Sequence, residues 1–316
     1  MWLLSRLPQR WRTELRDLVE LILAPGLASV LPWRLCFQVF RLLSRAPWLY
    51  RAGSVAALSQ AKARRQVPEG RELEWLATRR LVTLVDHADQ YLAATRSDRF
   101  MARHLDVNGH WGDPTKAGVC LTFHWGAGMW ALRHAGASGL QAHALVAAMQ
   151  GTPFAGRAVL QHYVIARTSS VGKALGRAPL VVSGSLRPVI QALRHQQQVF
   201  AAVDVPADQV DSSVEVNLRG MQARVPKGLL RLALDLKVPV TVYVTGFDVT
   251  TGRRHLKIAQ IPKPMDGLTV QELAQRVFDQ LNEALETNNA YWHFWSEAPR
   301  IFCEPLHADH TPAPSS

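Results

Sequence analysis

The chain has 316 residues, of which 48% are hydrophobic, so it is long enough and apolar enough to bury a full globular core. Its formal net charge of +11 indicates anionic partners, although no recognisable RNA- or DNA-binding motif supports a nucleic acid among them. The three cysteines, Cys36, Cys120 and Cys303, are far apart, which argues against a disulfide framework or a cysteine-rich zinc site and favours a reducing compartment.

Residues 1–50 mix arginines with tryptophan and aliphatic residues and lack the pattern of a cleavable signal peptide. The longest uncharged apolar run, residues 21–33, is broken by Pro25 and Gly26 and is short for a membrane span, which needs about 20 residues. This composition predicts amphipathic helices that lie on an anionic membrane surface. Helices packed on the core and a short tilted span are the alternatives.

Residues 51–68 are expected to form a basic connection, and residues 69–100 carry apolar side chains at helical spacing. A loop is predicted at 107–118, where Asn-Gly and Asp-Pro pairs occur. We expect one domain over residues 51–304, followed by a disordered tail at 305–316 that is rich in proline, serine and histidine.

From residue 119 onward, short apolar runs alternate with helical patterns. The predicted strands are 119–123, 142–148, 180–182, 199–203, 214–218, 239–245 and 255–259. The predicted helices are 127–135, 153–164, 185–195, 228–236 and 269–287. This alternation predicts an α/β fold with a mixed, largely parallel sheet flanked by helices.

Residues 114–203 contain no Asp or Glu, although about seven would be expected by proportion. The same stretch carries eight cations: Lys116, Arg133, Arg157, Arg167, Lys173, Arg177, Arg187 and Arg194. Such a surface is suited to anionic ligands. With no carboxylate nearby in the sequence, Arg157, Arg167 and Arg187 are candidate phosphate-binding residues, unless they are ordinary solvated or capping side chains.

His124 lies where a predicted strand meets a predicted helix, which is where α/β sheets bind ligands. Its imidazole could take a proton from a hydroxyl group, while Gly126 and Gly128 would let the backbone approach a substrate closely. A structural histidine is the alternative. The glycine spacing also fits a weak dinucleotide fingerprint, but the required acid about 20 positions later is missing, and no carboxylate follows before Asp204. Asp204 itself is either a functional carboxylate or a turn residue.

Four segments together resemble the bacterial lipid A biosynthesis (late) acyltransferases of the lysophospholipid acyltransferase superfamily. Residues 123–126 stand at the position of the family's HxxxxD/E motif, and residues 199–206 are similar to its strand that ends in an aspartate. Residues 216–242 are similar to its glycine-containing segment and apolar strand, and Gly228 there is a candidate substrate-binding residue. Residues 281–295 are similar to its last helix and its Trp/His-rich finish. The likeness covers roughly residues 10–302.

The resemblance implies transfer of a fatty acyl group from acyl carrier protein or coenzyme A to a hydroxyl or amine of a membrane lipid. It implies a protein at the cytoplasmic face of the bacterial inner membrane, with the acyl thioester as co-substrate and no metal or other cofactor. His124 would deprotonate the acceptor, and backbone N–H groups or an arginine would hold the oxyanion.

One position departs from the family's motif. Five residues after His124, where the motif has an acid, stands Met129. Methionine cannot orient an imidazole or stabilise its protonated form. Three hypotheses remain open. Asp204, or less favourably Asp113 or Asp208, supplies the carboxylate through space; the histidine works unassisted; or the chain is a degenerate, non-catalytic relative that binds lipid or carrier protein.

Overall fold

The computed structural model describes residues 8–147, 154, 156–182, 185–210, 212–261 and 267–303. The predicted disordered tail at 305–316 lies outside these ranges. All element bounds below refer to the described residues.

The helices in chain order are α1 (Gln9–Asp17), a π-helical segment (Leu18–Leu23), α2 (Ala24–Val30), α3 (Trp33–Leu43), α4 (Arg51–Ala63), α5 (Glu72–Thr95), α6 (Asp98–Arg103), α7 (Met129–Ala137), α8 (Ala158–Leu175), α9 (Arg187–Arg194), α10 (Gly228–Asp235), α11 (Val270–Asn288) and α12 (Ala298–Ile301). The strands are β1 (Leu105–Asn108), β2 (Gly118–Thr122), β3 (Ala142–Ala147), β4 (Leu180–Val182), β5 (Gln198–Ala202), β6 (Ser213–Leu218), β7 (Met221–Pro226), β8 (Val240–Phe247) and β9 (Arg254–Gln260). Short 3₁₀ turns cover Ala207–Gln209, Asn289–Tyr291 and His293–Glu297.

Seven strands form one sheet in the order β1-β9-β8-β2-β5-β3-β4, and β6 and β7 form a separate antiparallel hairpin. Within the large sheet only the pair β8 and β9 is antiparallel. The central strands are buried along most of their length, because helices cover both faces of the sheet. The predicted α/β class with a largely parallel, helix-flanked sheet is therefore confirmed.

Four elements differ from the sequence prediction. α8 ends at Leu175, eleven residues after the predicted end at 164. Residues 51–63 form α4 rather than a basic connection. β1 begins two residues before the predicted loop and occupies its first residues, and it pairs with β9 as an edge strand. β7 was not predicted, and it pairs with every residue of β6.

The N-terminal helices contribute to the same hydrophobic core as the sheet. Trp33 and Phe37 of α3 are buried, and Trp33 Nε1 donates a hydrogen bond to the carbonyl oxygen of Gly252 at 3.1 Å. Other apolar side chains of this region stay in solvent, including Trp11 at 65% exposure and Val30 at 74%. Across the described residues, no helix combines the length and apolar character that a membrane crossing requires.

Candidate active site

The strand register brings His124 and Asp204 together. β2 and β5 are parallel neighbours, and Thr122 at the end of one is paired with Ala202 at the end of the other. His124 lies two residues after Thr122, and Asp204 lies two residues after Ala202. Both residues therefore lie at the carboxyl edge of the sheet, next to each other. The hypothesis that Asp204 reaches His124 through space therefore agrees with the observed register.

His124 and Asp204 form a directly hydrogen-bonded dyad. His124 Nδ1 lies 2.8 Å from Asp204 Oδ1, and the main-chain N–H of His124 donates to both carboxylate oxygens at 3.0 and 2.8 Å. The Asp204 side chain is 1% exposed, whereas that of His124 is 38% exposed. The carboxylate is thus enclosed in protein, and the imidazole retains access to a ligand.

The carboxylate fixes which nitrogen of His124 can act as a base. A carboxylate oxygen accepts a hydrogen bond from the ring, so the hydrogen sits on Nδ1 and the lone pair of the neutral imidazole sits on Nε2. Among the described residues, no hydrogen bond to Nε2 is found. Nε2 is therefore the atom that could accept a proton from a bound substrate.

The segment 291–294 lies against the loop that carries His124, and its residues 291–293 pair with that loop through the main chain. The His293 N–H donates to the His124 carbonyl at 2.7 Å, and the Gly126 N–H donates to the Tyr291 carbonyl at 3.1 Å. Trp125 and Trp292 form the antiparallel bridge between these two bonds. The backbone of the candidate site is thus fixed by a segment far along the chain.

Two aromatic side chains of this segment contact the dyad itself. Trp292 Nε1 donates to Asp204 Oδ2 at 2.8 Å, on the oxygen that the imidazole does not use. The Phe294 ring stacks on the His124 ring with centroids 4.0 Å apart and planes 16° apart. These contacts hold the carboxylate and the imidazole in their observed orientations.

His293 is the third side chain of this segment at the site. Its Nε2 lies 2.8 Å from the carbonyl oxygen of Gly126. Burial, helped by the nearby Arg79 guanidinium, lowers the pKa of His293 to about 3. Arg79 in turn donates to the carbonyls of Trp292 and His293 at 2.9 and 3.0 Å. Hydrogen bonds from a neutral histidine and a buried arginine therefore stabilise the main chain around the site.

Sequence reasoning did not select Trp292, His293 or Phe294 as site residues. The aromatic run at 291–295 was noted only as part of the family likeness. No rule of sequence spacing joins it to His124, because an antiparallel contact between remote segments leaves no local periodicity.

Of the two glycines after His124, only Gly126 is required by its surroundings. Its φ is +59°, and a Cβ there would meet the carbonyl oxygen of Thr245 at 2.3 Å. Gly128 precedes α7 with a φ of −80°, and a Cβ there would meet nothing within 4 Å. Met129, at the family's acid position, is 2% exposed at the start of α7. The site therefore has a carboxylate on His124, but it comes from a different strand.

Two of the candidate phosphate-binding arginines have carboxylate partners that are remote in sequence, and their phosphate-binding role stays a prediction. Arg157 forms a two-point ion pair with Asp17, at 2.8 and 2.9 Å, and Arg167 forms one with Asp86 at the same distances. Burial alone would raise the pKa of Asp86, but the charge of Arg167, the neighbouring His293 and His87, and the hydrogen bonds from Arg167 together outweigh it and lower that pKa to about 2. Both arginines therefore have carboxylate partners, which come from helices outside the acid-free stretch.

Arg187 and Gly228 are not joined to the dyad by any contact found among the described residues. Arg187 is exposed at the start of α9, and within the described ranges it has no ion pair. Gly228 begins α10, and a Cβ there would lie 3.1 Å from Leu186. Their substrate-binding roles stay predictions.

The described residues contain no group of three or more His, Cys, Asp or Glu side chains placed to hold a metal ion. No protein-family model matches the chain, and no curated protein matches it in sequence. The candidate function consequently depends on the geometry of the site and on the resemblance of its motifs.

Proposed function

We propose that this protein is an acyltransferase that moves a fatty acyl group from acyl carrier protein or coenzyme A to a hydroxyl or amine of a membrane lipid. The observation that carries the proposal is the hydrogen bond between His124 Nδ1 and Asp204 Oδ1, which leaves Nε2 available as a base. The motif resemblance to the late lipid A acyltransferases supplies the substrate class.

In the proposed reaction, His124 Nε2 takes the proton of the acceptor hydroxyl or amine. The freed oxygen or nitrogen attacks the thioester carbonyl, and the thiolate then leaves with the proton that the imidazolium returns. Asp204 stabilises the imidazolium that forms between these steps. The N–H groups of Met129 and Trp130, the first two of α7, have no acceptor within their own helix and begin five residues after His124, so they are candidates for holding the oxyanion.

The charge distribution supports anionic substrates. Among the described residues, four of the eight cations of the acid-free stretch are ion-paired, but the whole chain keeps a formal net charge of +11, and both an acidic carrier protein and an anionic membrane surface are attracted to a basic protein. The exposed Trp11, Val30 and Leu42 of the N-terminal helices agree with a peripheral location at the cytoplasmic face of the inner membrane. The proposed reaction needs no cofactor besides the acyl thioester.

A non-catalytic, lipid- or carrier-binding relative was the alternative for a site without a carboxylate on its histidine. The 2.8 Å contact between His124 and Asp204 favours catalysis over binding alone.

The test uses the purified protein with acyl thioesters of several chain lengths, on both carriers, and bacterial lipid extract as acceptor. Release of free thiol and mass spectrometry of the acylated lipid measure transfer. His124→Ala is expected to lower the rate by about 10² to 10⁴. His162→Ala, an exposed histidine of α8, is the control and should behave like the wild type. Wild-type transfer by His124→Ala would refute the catalytic assignment.

A further inference from the structure

A cavity of about 970 Å³ lies beside the candidate site. Its walls come from α1, the π-helical segment, α4, α5 and α8, and His293 and Arg79 also line it. His124 does not line it, but the main chain of His293 is hydrogen-bonded to that of His124. The volume lies in the range of small-ligand sites. His293 therefore connects the two places, because it lines the cavity and belongs to the segment that positions His124 and Asp204.

The cavity lining combines charged side chains with a larger apolar surface. Asp17 is paired with Arg157, and the Glu20 carboxylate accepts the N–H of Tyr50 at 2.6 Å. The guanidinium of Arg79 is bound only by main-chain carbonyls in the described structure. These charged groups already have hydrogen-bond partners in the protein, and the apolar surface beside them can contact hydrocarbon. A ligand with polar atoms next to an apolar part, such as a lipid headgroup and the start of its chain, suits this mixed lining.

His293 presents an unused hydrogen-bond acceptor at this wall. Its Nε2 faces a carbonyl oxygen, which can only accept, so Nε2 must carry the hydrogen of the neutral ring. Nδ1 is then an acceptor, and no donor to it is found among the described residues. A hydroxyl or ammonium group in the cavity would satisfy it.

The cavity also has a lipid-compatible side. Trp48 and Val55 line it and are 53% and 49% exposed, and Arg51 stands between them in the sequence. No ion pair of Arg51 is found in the described part of the chain. Exposed apolar side chains beside a free cation are typical of surfaces that contact anionic lipid.

We infer that this cavity binds the polar headgroup of the lipid acceptor, and that His293 Nδ1 accepts a hydrogen bond from a hydroxyl or ammonium group of that headgroup. The inference rests on the proposed acyltransferase function. It makes His293 a residue for acceptor binding, separate from the proton transfer at His124.

Two substitutions separate this role from the structural role of His293. His293→Gln keeps an N–H donor for the Gly126 carbonyl but places no atom at the Nδ1 position. We expect it to raise the KM for acceptor about threefold to tenfold, as loss of one hydrogen bond does, with the KM for thioester unchanged. His293→Asn places an amide near Nδ1 but cannot reach Gly126. It should lower the thermal midpoint and raise the acceptor KM less.

A binding experiment without thioester keeps the two proposals distinguishable. Calorimetry measures the affinity of a short-chain lysophosphatidylethanolamine below its micelle concentration for wild type, His293→Gln and Val55→Trp, which fills the cavity wall. Leu73→Trp, 83% exposed and outside the cavity lining, is the control. We expect saturable binding that weakens in the first two variants and is unchanged in the control.

Normal acyl transfer with unaltered acceptor KM and lysolipid affinity in His293→Gln and Val55→Trp would overturn the cavity inference and leave the acyltransferase proposal intact. Lysolipid binding that these variants weaken, in a protein that transfers no acyl group from any thioester, would uphold the cavity and refute the acyltransferase. Absence of saturable lysolipid binding by the wild type would also overturn the cavity inference.

Discussion

Trp292 Nε1 donates a hydrogen bond to Asp204 Oδ2 across 88 positions of sequence, while the other oxygen of the same carboxylate faces the imidazole of His124. Both oxygens of Asp204 are thereby hydrogen-bonded, so the indole of Trp292 helps to fix the orientation of the carboxylate toward the imidazole. We therefore expect loss of the Asp204 carboxylate to slow proton transfer more than loss of the Trp292 N–H does.

Asp204→Asn is expected to lower kcat/KM by about 10² to 10⁴, because an amide cannot stabilise the imidazolium and can impose the wrong tautomer on His124. The matched control is Asp208→Asn, which makes the same change four residues away at an exposed carboxylate paired with Arg300. Initial rates of thiol release measure both variants. Equal rates for the two would show that the dyad has no catalytic part.

Trp292→Phe keeps an aromatic ring but removes the donor to Asp204, so we expect kcat/KM to fall roughly tenfold. Trp295→Phe is the matched control, because Trp295 is equally buried and its Nε1 donates to the Asn289 carbonyl at 2.7 Å instead. Kinetics and thermal unfolding are measured for both. A loss of activity that follows stability alike in the two variants would assign Trp292 a packing role only.

Met129→Glu restores the acid at the family's motif position, yet it should not raise kcat, because Nδ1 of His124 already contacts Asp204. Met129 is 2% exposed, so a carboxylate there is expected to destabilise the fold by on the order of 2–4 kcal/mol. Met129→Leu keeps an apolar side chain of similar size and should cost about 1 kcal/mol or less. Urea unfolding and initial rates test this prediction, which a higher kcat in Met129→Glu would contradict.

Gly126→Ala is expected to cost at least about 2 kcal/mol, because the positive φ is unfavourable for alanine and its Cβ would meet the Thr245 carbonyl oxygen at 2.3 Å. Gly128→Ala should stay within about 0.5 kcal/mol, since space is open there. Urea unfolding of the two variants gives the comparison. Similar losses at both positions would mean that the turn after His124 is not closely packed on β8.

Acid is expected to weaken the fold through its buried histidines. Burial lowers the pKa of His87 from its ordinary value of 6.5 to about 4, with Asp86 opposing and Arg167 adding to the effect. Between these values the unfolded chain binds a proton that the folded protein does not. Stability that is present above pH 6.5 is therefore lost as the pH falls toward 4, by about 1.4 kcal/mol per pH unit for this group.

His87→Gln should reduce that slope by about 1.4 kcal/mol per pH unit, measured by urea unfolding at a series of pH values. His162→Gln changes an exposed histidine and should leave the slope as in the wild type. An unchanged slope in His87→Gln would mean that His87 is not neutral in the folded protein.

Most strands of the large sheet could be predicted from sequence, because apolar runs between helical patterns leave a strong signal, but the order in which they pair could not. The predicted strands ending at residues 123 and 203 placed His124 and Asp204 each just after a strand, but that the two strands are neighbours is known only from the register of β2 and β5. β1 gave no such signal, since it is a four-residue edge strand whose last three residues are exposed. The hairpin partner β7 was hidden by its polar Gln222 and Arg224.

The arginine partners could not be predicted from local composition. Asp17 and Asp86 lie 140 and 81 residues from the arginines that they bind. The absence of Asp and Glu from residues 114–203 shows only that most cations there have no acidic residue close in sequence. Folding then brought carboxylates from α1 and α5 to α8, because a partly buried guanidinium is stable only with a partner.

Residues 291–294 also determine when the site can exist during synthesis. His124 and Asp204 leave the ribosome long before Trp292, His293 and Phe294 have been translated. A nascent or truncated chain that stops at residue 290 would hold the imidazole and the carboxylate without the indole, the stacked ring or the backbone bonds that position them. Translation order therefore makes assembly of the site a late event, because the segment that orders the His124 imidazole is made after the strands and helices of the sheet.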